Sequence, residues 1–255
     1  MIVLLSPAKI QNFKTEPVLF PVSQPTFLHE AAQLVEIIRE MSMEKLGDLL
    51  KVNFELVQLN AERFSKWQLP FTTENAKPAV QVFNGEVFHG LDVRSLDQPG
   101  LHFLNRHLRI FSGLYGLLKP FDLIQPYRID FGDDFRLPNG QNLYAFWSDK
   151  ITDELNRALD ELDEPRIILN LASNEYIKGI NRKKINATIL NVDFLQIQPV
   201  GYKTIVVYTK KARGMMTRFV TENRLTDDDY LKAFDLEKYM WNQHLSTNKK
   251  LVFVR

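Results

Sequence analysis

The sequence predicts a mixed α/β fold, in which a mixed β-sheet is covered by helices and a helical subdomain occupies about residues 27–67. Two observations predict the sheet: from about residue 80 short apolar runs alternate with helical patterns, and several runs are apolar on both faces. The third observation, helical periodicity through 27–67, predicts the subdomain. The chain has 255 residues, enough for one large domain or two small ones, and we expect a single domain over 1–255.

The N-terminal third is expected to supply one strand and three helices. The run "IVLL" at residues 2–5 is typical of a buried strand, and residues 10–26, with three prolines, are expected to form an extended loop. "FLHEAAQLVEIIREM" places its apolar residues along one helix face. "SMEKLGDLLKVNFELVQLNAERFSKW" supplies two shorter helices, and Ser42 is suited to the first N-cap.

The rest of the chain is expected to supply further strands and one long helix. The helix is predicted in "YAFWSDKITDELNRALDEL", where apolar residues recur at helical spacing. The last strands are expected to be antiparallel or mixed. The predicted strands are "AVQVF" (79–83), "LRIFSG" (108–113), "RIILNLAS" (166–173), "ATILNVDFLQIQ" (187–198), "KTIVVYT" (203–209) and "LVFVR" (251–255).

Composition excludes several classes of protein. No apolar run is long enough to span a membrane, and the N-terminus lacks the basic lead of a signal peptide. The chain has no cysteine, which excludes disulfides, thiolate catalysis and cysteine-based metal sites and suits a reducing cytoplasm. Its five histidines show no metal-ligand spacing, and no nucleotide-binding loop occurs, so we expect no metal and no cofactor.

The net charge of +1 hides an uneven distribution. Residues 167–220 hold 9 Lys and Arg against 2 acids, Glu175 and Asp193. This local excess indicates either a face that attracts anions or an ordinary solvated surface.

Polar residues follow four of the predicted strands. The carboxyl ends of strands in open α/β sheets are where ligands bind, so we expect these residues to share one site. They are Ser6 and Lys9; Ser112 and Tyr115; Ser173, Asn174 and Glu175; and Lys210, Lys211 and Arg213.

The fourth of these ends raises an electrostatic problem. "VVYTKKARGMMTRFV" reads as a strand that leads into a helix near Ala212, with three cations at the junction. A helix begins with a partial positive charge, which disfavours cations there unless an anion is bound. We therefore predict anion binding by Lys210, Lys211 and Arg213; the alternative is that the lysines simply reach solvent.

The segment 107–132 is apolar yet rich in turn residues, so it is expected to be packed. It carries Arg109, Tyr127 and Arg128. Arg128 is expected either to pair with Asp122 or Asp130 or to form a wall of a cationic crevice.

The polar set also permits an enzyme. Its candidate catalytic residues are Glu175, Lys9 and Tyr127. Glu175 suits a general base among cations, or equally a capping carboxylate in the first turn of a helix. The substrate would be small and anionic or nucleobase-like.

The sequence resembles the YaaA family of peroxide stress proteins. The matching blocks span nearly the whole chain: "LLSPAK", "FNGEVFHGL" (83–91), "HLRIFSGLYGLLKPFDLIQPYR" (107–128), "LYAFW" (143–147), "NLASNEY" (170–176), "KKARGMMTRF" (210–219) and "ENRL" (222–225).

This resemblance implies a cytoplasmic protein that limits iron-driven oxidative damage and binds double-stranded DNA through a cationic cleft. It also implies a helix-hairpin-helix element, here residues 42–64. The implied cleft cations are Lys9, Arg109, Arg128, Lys210 and Arg213. The hairpin departs from the usual pattern, because its connection "LLKVNFE" has no glycine and acids surround its cations.

Three hypotheses therefore arise from the sequence. The first is a DNA-binding stress protein, the second an enzyme with a pocket at the strand ends, and the third a protein-interaction module that uses the helical N-terminal third.

Overall fold

A computed structural model of the protein describes residues 1–14, 16 and 19–255. In chain order, the helices are α1 (Leu28–Arg39), α2 (Met43–Leu50), α3 (Phe54–Lys66), α4 (Ala79–Val82), α5 (Glu86–Leu91), α6 (Gln98–His107), α7 (Leu143–Asp160), α8 (Asn174–Ile177) and α9 (Val206–Glu222). The strands are β1 (Ile2–Leu5), β2 (Lys77–Pro78), β3 (Leu108–Ser112), β4 (Gly116–Leu118), β5 (Leu123–Ile124), β6 (Ile167–Asn170), β7 (Thr188–Ile197), β8 (Tyr202–Lys203), β9 (Met240–Trp241) and β10 (Lys250–Val254). Residues 15, 17 and 18 of the predicted loop 10–26 lie outside the described residues.

The central sheet is mostly parallel and is flanked by helices. Its strand order is β4-β3-β1-β6-β7-β10-β9, with β8 paired to β7 beside this path. β1 is parallel to β3 and β6, and β7 is parallel to β6 and β10. The antiparallel pairs are β3–β4, β7–β8 and β9–β10. The mixed α/β class predicted from the sequence is therefore confirmed.

The chain changes its direction across the sheet between β1 and β6. From β1 it continues to β3 on one side, whereas from β6 it continues to β7 on the other side. The crevice outside the carboxyl ends of two such strands is the usual ligand site of an open α/β sheet. The residues that follow Leu5 and Asn170 therefore define the position where a site is expected.

The helices of the N-terminal third form as predicted. The Ser42 hydroxyl caps α2 by accepting from the Lys45 amide, and the Asn53 side chain caps α3 by accepting from the Leu56 amide. Between these helices, Lys51 has a φ of 50°, the left-handed conformation that glycine usually provides. The hairpin between α2 and α3 is therefore turned without a glycine.

The predicted strand 79–83 is wrong, because Ala79–Val82 form α4. The amides of Ala79 and Val80 donate to the carbonyls of Asp122 and Pro120, so a distant loop satisfies the first turn of this short helix.

The predicted strand 203–209 is also wrong. Only Tyr202–Lys203 pair with β7, and α9 already begins at Val206. β-branched residues favour strands, but this preference yields to packing. The Thr209 hydroxyl donates to the Phe194 carbonyl, and Ala212 is fully buried on the same helix.

Helices α5 and α9 touch at their backbones. A Cβ atom on Gly214 would lie 1.8 Å from the Val87 carbonyl oxygen, and one on Gly90 would lie 2.3 Å from the Lys211 carbonyl oxygen. Only glycine permits this approach, so α9 is fixed against α5 by two residues without side chains. Across the described residues, no helix combines the length and apolarity needed to cross a bilayer.

Candidate functional site

The crevice between β1 and β6 brings Ser6 and Ser173 together. The Ser173 amide donates to the Ser6 hydroxyl oxygen at 2.8 Å, and the two hydroxyl oxygens are 3.4 Å apart. These residues come from positions 167 apart in the sequence. The convergence predicted for these two strand ends is thus present in the structure.

Lys9 reaches a carboxylate on the same side of the crevice. Its Nζ lies 3.1 Å from Asp130 Oδ2, while the Tyr176 hydroxyl donates to Asp130 Oδ1 at 2.6 Å. Lys9 is exposed, whereas Asp130 and Tyr176 are buried. We name Ser6, Lys9, Asp130, Ser173 and Tyr176 the switch-point network. Within it the charge of Lys9 is compensated.

Glu175 links α8 to two other parts of the chain by hydrogen bonds. It lies in the first turn of α8, after Ser173 at the N-cap, and its Oε1 accepts from the Gly132 amide at 3.0 Å. Its carbonyl accepts from the Tyr144 hydroxyl. Glu175 thus occupies the first helical turn expected for a capping carboxylate, but its side chain accepts from the amide of a distant loop rather than from an amide of α8. The preceding residue, Asn174, is exposed.

Ser112, Tyr115 and Tyr127 form an internal network. The hydroxyls of Ser112 and Tyr127 are 2.7 Å apart, the Tyr115 amide donates to Ser112 Oγ, and the Tyr115 hydroxyl accepts from Trp67 Nε1. All three are buried. Burial raises the pKa of the Tyr115 and Tyr127 hydroxyls far above their usual range. Tyr127 is therefore neutral near pH 7 and committed to Ser112.

Arg109 lies inside the protein. It is 4% exposed, and its Nη1 donates to the carbonyls of Asn105, Arg106 and Leu108. These carbonyls belong to the end of α6 and the residue after it, where a cation stabilises the helix dipole. Burial lowers the pKa of Arg109, and nearby acids partly oppose this effect. Arg109 is thus not presented to a surface ligand.

Arg128 differs, because it lies half-buried at the rim. Among the described residues it has no hydrogen-bond or ion-pair partner, so neither expected aspartate neutralises it: Asp122 accepts from Ser23 and from the Lys119 amide, and Asp130 pairs with Lys9.

A second arginine of this region, Arg63 of α3, is close enough to Arg128 for their positive charges to interact. Burial lowers the pKa of Arg63, and the positive charge of Arg128 lowers it further. Among the described residues, Arg63 donates only to the Asn60 side chain and has no carboxylate partner. The end of α3 is held beside this loop because Gln68 and Gln125 exchange two hydrogen bonds. We name Arg63 and Arg128 the arginine pair.

Arg63 is not among the site residues predicted from the sequence, because acidic residues surround the cations of the hairpin. The spacing of Leu56, Leu59 and Arg63 places them on one face of α3. Both leucines are more than one-third exposed. A face that combines exposed leucines with an arginine indicates a possible binding surface, and this pattern could have identified Arg63.

The three cations of α9 do not lie at the start of a helix. Lys210, Lys211 and Arg213 come four to seven residues after Val206, so the predicted conflict with the helix dipole does not arise. Lys210 is exposed and has no partner among the described residues. Lys211 pairs with Glu237, which also pairs with Arg255. Burial lowers the pKa of Arg213, and its Nε has no hydrogen-bond partner in the part of the chain that the structure describes.

The space beside the switch-point network is small. The depression between Lys9 and Arg128 has a volume of about 10 Å³, which is room for about one water molecule. An open groove of about 630 Å³ lies elsewhere, between α1 and the end of α3. Metabolite pockets typically enclose ~300–1,000 Å³, so the crevice is a surface feature rather than a chamber.

The described residues include no group of three or more histidine or acidic side chains arranged to hold a metal ion.

The fold and the site define a mixed α/β protein with a polar crevice at the switch point of its sheet and an uncompensated arginine pair beside it. A family model described as "Peroxide stress protein YaaA" matches residues 1–245, and the chain belongs to this family. A UPF0246 protein of Alteromonas mediterranea is 42% identical over 255 residues, which cover 100% of this chain and 98% of that protein. A UPF0246 protein of Idiomarina loihiensis is 43% identical with the same coverage. The resemblance seen in the motifs is confirmed, and it supports a role in peroxide stress.

Proposed function

We propose that this protein binds double-stranded DNA in the cytoplasm during peroxide stress and so limits iron-dependent damage. The observation that carries the proposal is the arginine pair. Two guanidinium groups that repel each other, with no carboxylate partner for either among the described residues, are stabilised by an anion that contacts both. Arginine is well suited to phosphate because its planar fork donates two parallel hydrogen bonds.

Further cations along the same edge of the sheet support a polyanionic ligand. Lys203 and Lys210 follow the carboxyl end of β7, are exposed and have no partner among the described residues. β7 lies two strands from β1. β7 also continues five residues past Asn191, the partner of Asn170, before Gln196 pairs with Lys203. At ~3.3 Å per residue, Lys203 therefore lies ~17 Å beyond the crevice along the strand direction, so these lysines and the arginine pair would contact separate phosphates of one duplex.

The hairpin of α2 and α3 is part of the proposed interface. Arg63 extends from α3, and the turn at Lys51 adopts the left-handed conformation without glycine. The turn lies at the amino end of α3 and Arg63 near its carboxyl end, ~14 Å away along the helix axis, so the two would contact separate phosphates.

The proposed protection from iron is indirect. DNA phosphates hold condensed counterions, and a protein that neutralises phosphates releases them. Ferrous ions held at DNA would be displaced in the same way. Radicals formed from peroxide would then arise away from the bases.

Salt-dependent binding tests this proposal. Affinity for a short duplex is measured by fluorescence anisotropy at several salt concentrations for the wild type and for Arg63→Ala/Arg128→Ala. The slope of log K against log[salt] is negative, and each lost phosphate contact reduces its magnitude by about one. We expect the slope of the double variant to be about two units shallower than that of the wild type, and its affinity to be roughly tenfold weaker.

Arg182→Ala is the matched control. Arg182 is an exposed arginine in the segment that leads to the amino end of β7, away from the proposed interface. It should bind as the wild type does. Equal slopes for the double variant and the control would contradict the proposal.

The second candidate function is an enzyme or binding site for a small anion at the switch point. The observation that favours it is the position of Ser6 and Ser173 between β1 and β6. Thermal unfolding in the presence of phosphate or nucleoside monophosphates tests it. A rise in Tm that Ser6→Ala abolishes would support this candidate, and no rise for any of these anions would contradict it.

A further inference from the structure

The connection between β7 and β8 carries an unusual exposed apolar tip. Val200 is 94% exposed and Ile197 is 57% exposed, and Pro199 between them is exposed as well. Tyr202, the cross-strand partner of Ile197, is half-exposed. We name residues 197–202 the hairpin tip. Isolated exposed apolar residues are common, but a cluster on one projection indicates a contact surface.

The hairpin tip is held in a defined shape. Gln196 pairs with Lys203 and Ile197 with Tyr202. The Gln198 amide donates to the Gly201 carbonyl, and Gly201 has a φ of 75°. These contacts close the turn, so Pro199 and Val200 stand at its outer end.

The charge around the hairpin tip fits an anionic partner. No acidic residue occurs in the sequence between Asp193 and Glu222. Glu237 approaches the base of the hairpin through Arg255, which donates to Gln196, but it is paired with both Arg255 and Lys211. Lys203 directly follows the tip, and Lys210 lies one turn into α9. A protein surface that combines exposed aliphatic residues with uncompensated lysines suits a ligand that is charged outside and apolar within. Duplex DNA has this character, with phosphates outside and stacked bases inside.

We propose that the hairpin tip is a wedge, in which Pro199 and Val200 insert between base pairs of bound DNA, unstack one step and bend the duplex. This proposal rests on the DNA-binding function above. Apolar side chains such as proline and aliphatic residues act in this way in proteins that bend DNA from the minor groove, and two-stranded ribbons enter DNA grooves. Lys203 then lies beside the flanking phosphates.

A preference among DNA substrates follows from this geometry. Insertion costs the energy of unstacking a step, and this cost falls where the step is already disrupted. The protein should therefore bind a duplex with one unpaired base about tenfold more tightly than the fully paired duplex, which corresponds to ~1.4 kcal/mol.

Base unstacking tests the wedge directly. 2-Aminopurine at the unpaired site or in the paired duplex becomes brighter when it loses its stacking neighbour. We expect wild-type protein to raise this fluorescence. Val200→Ser should abolish most of this rise in fluorescence. It should also reduce the preference for the duplex with an unpaired base to less than about twofold. Its affinity for the fully paired duplex should change by less than about threefold. Val22→Ser, at a valine that is 40% exposed on a different loop, is the matched control and should behave as the wild type.

The outcomes separate this proposal from the proposed function. Tight, salt-dependent binding without any change in fluorescence would overturn the wedge alone, whereas absence of DNA binding by the wild type would overturn both. A membrane contact is the alternative use of the hairpin tip. It would be shown by phosphatidylglycerol–phosphatidylcholine vesicles that bind the wild type but not Val200→Ser, together with equal DNA binding by both proteins. That result would also overturn the wedge.

Discussion

Two regions of one segment, strand β3 and the loop that follows β5, each hold an arginine, and the two arginines have opposite surroundings. Arg109 of β3 is buried and donates to three carbonyls. Arg128 of the loop lies at the rim beside Arg63 and has no acceptor among the described residues. A cation with acceptors stabilises the fold, whereas a cation without them is available to a ligand.

The switch-point network falls between these extremes. Lys9 is exposed like a ligand-binding cation but is paired with Asp130. The comparison therefore predicts a graded response, in which stability depends on Arg109, DNA binding depends on Arg128, and Lys9 affects both only weakly.

The largest expected effect on stability is that of Arg109→Ala. The change removes a buried donor from three carbonyls at the end of α6, and buried groups left without partners cost ~1–3 kcal/mol each. We expect the free energy of unfolding to fall by more than about 3 kcal/mol in urea denaturation.

Arg128→Ala is the corresponding change at the rim. Surface substitutions usually alter stability by less than ~0.5 kcal/mol. If Arg128→Ala destabilised the fold as much as Arg109→Ala does, the two arginines would share a structural role and the comparison would fail.

The buried Asp122 carboxyl should make stability depend on pH. Burial raises its pKa to about 6, although Ser23, the Lys119 amide and nearby cations oppose the shift. The folded state then holds a proton that the unfolded state releases at lower pH. This contribution to stability is fully present below pH ~4 and is lost as the pH rises towards 6, by about 3 kcal/mol.

Asp122→Asn removes this titration. The amide can donate to the Ser23 hydroxyl and accept from the Lys119 amide, so both contacts remain. The free energy of unfolding of the variant relative to the wild type should therefore rise between pH 4 and pH 7. A difference that stays constant over this range would show that Asp122 ionises normally.

A smaller effect is expected when Asp130→Asn frees Lys9. The Tyr176 hydroxyl can still donate to the remaining oxygen, so stability should fall by only about 1 kcal/mol. The released lysine adds one possible phosphate contact. Affinity for duplex DNA should rise by about threefold, with a salt slope steeper by about one. Unchanged binding would place Lys9 outside the interface.

The smallest effect belongs to Lys9→Ala. Exposed ion pairs contribute ~0–1 kcal/mol, and the charge of Lys9 is already compensated by Asp130. We expect DNA affinity within about twofold of the wild type in the same anisotropy assay. A loss as large as that of Arg63→Ala/Arg128→Ala would place Lys9 among the binding residues.

Local sequence pattern was sufficient for most of the fold. The strand at residues 2–5, the helices of the N-terminal third and α7 follow from periodicity and caps. The strand predicted at 203–209 failed because its β-branched residues are strand-like in isolation, whereas the Thr209 contact with Phe194 and the packing against α5 favour a helix.

The site was predictable only in part. Ser6 and Ser173 could be expected to meet, because both follow apolar strands. Arg109 and Arg128 could not be distinguished, because charge alone does not reveal acceptors. Arg63 was missed because its proximity to Arg128 depends on the contact of Gln68 with Gln125, which are 57 residues apart in the chain.

Arginine-selective modification by phenylglyoxal, read by mass spectrometry with and without duplex DNA, tests most directly whether the arginine pair binds phosphate. Arg63 and Arg128 should be modified in the free protein and protected by saturating DNA, while Arg182 should be modified equally in both samples. Equal modification of Arg63 and Arg128 with and without bound DNA would contradict the assignment of the DNA interface to this edge of the sheet.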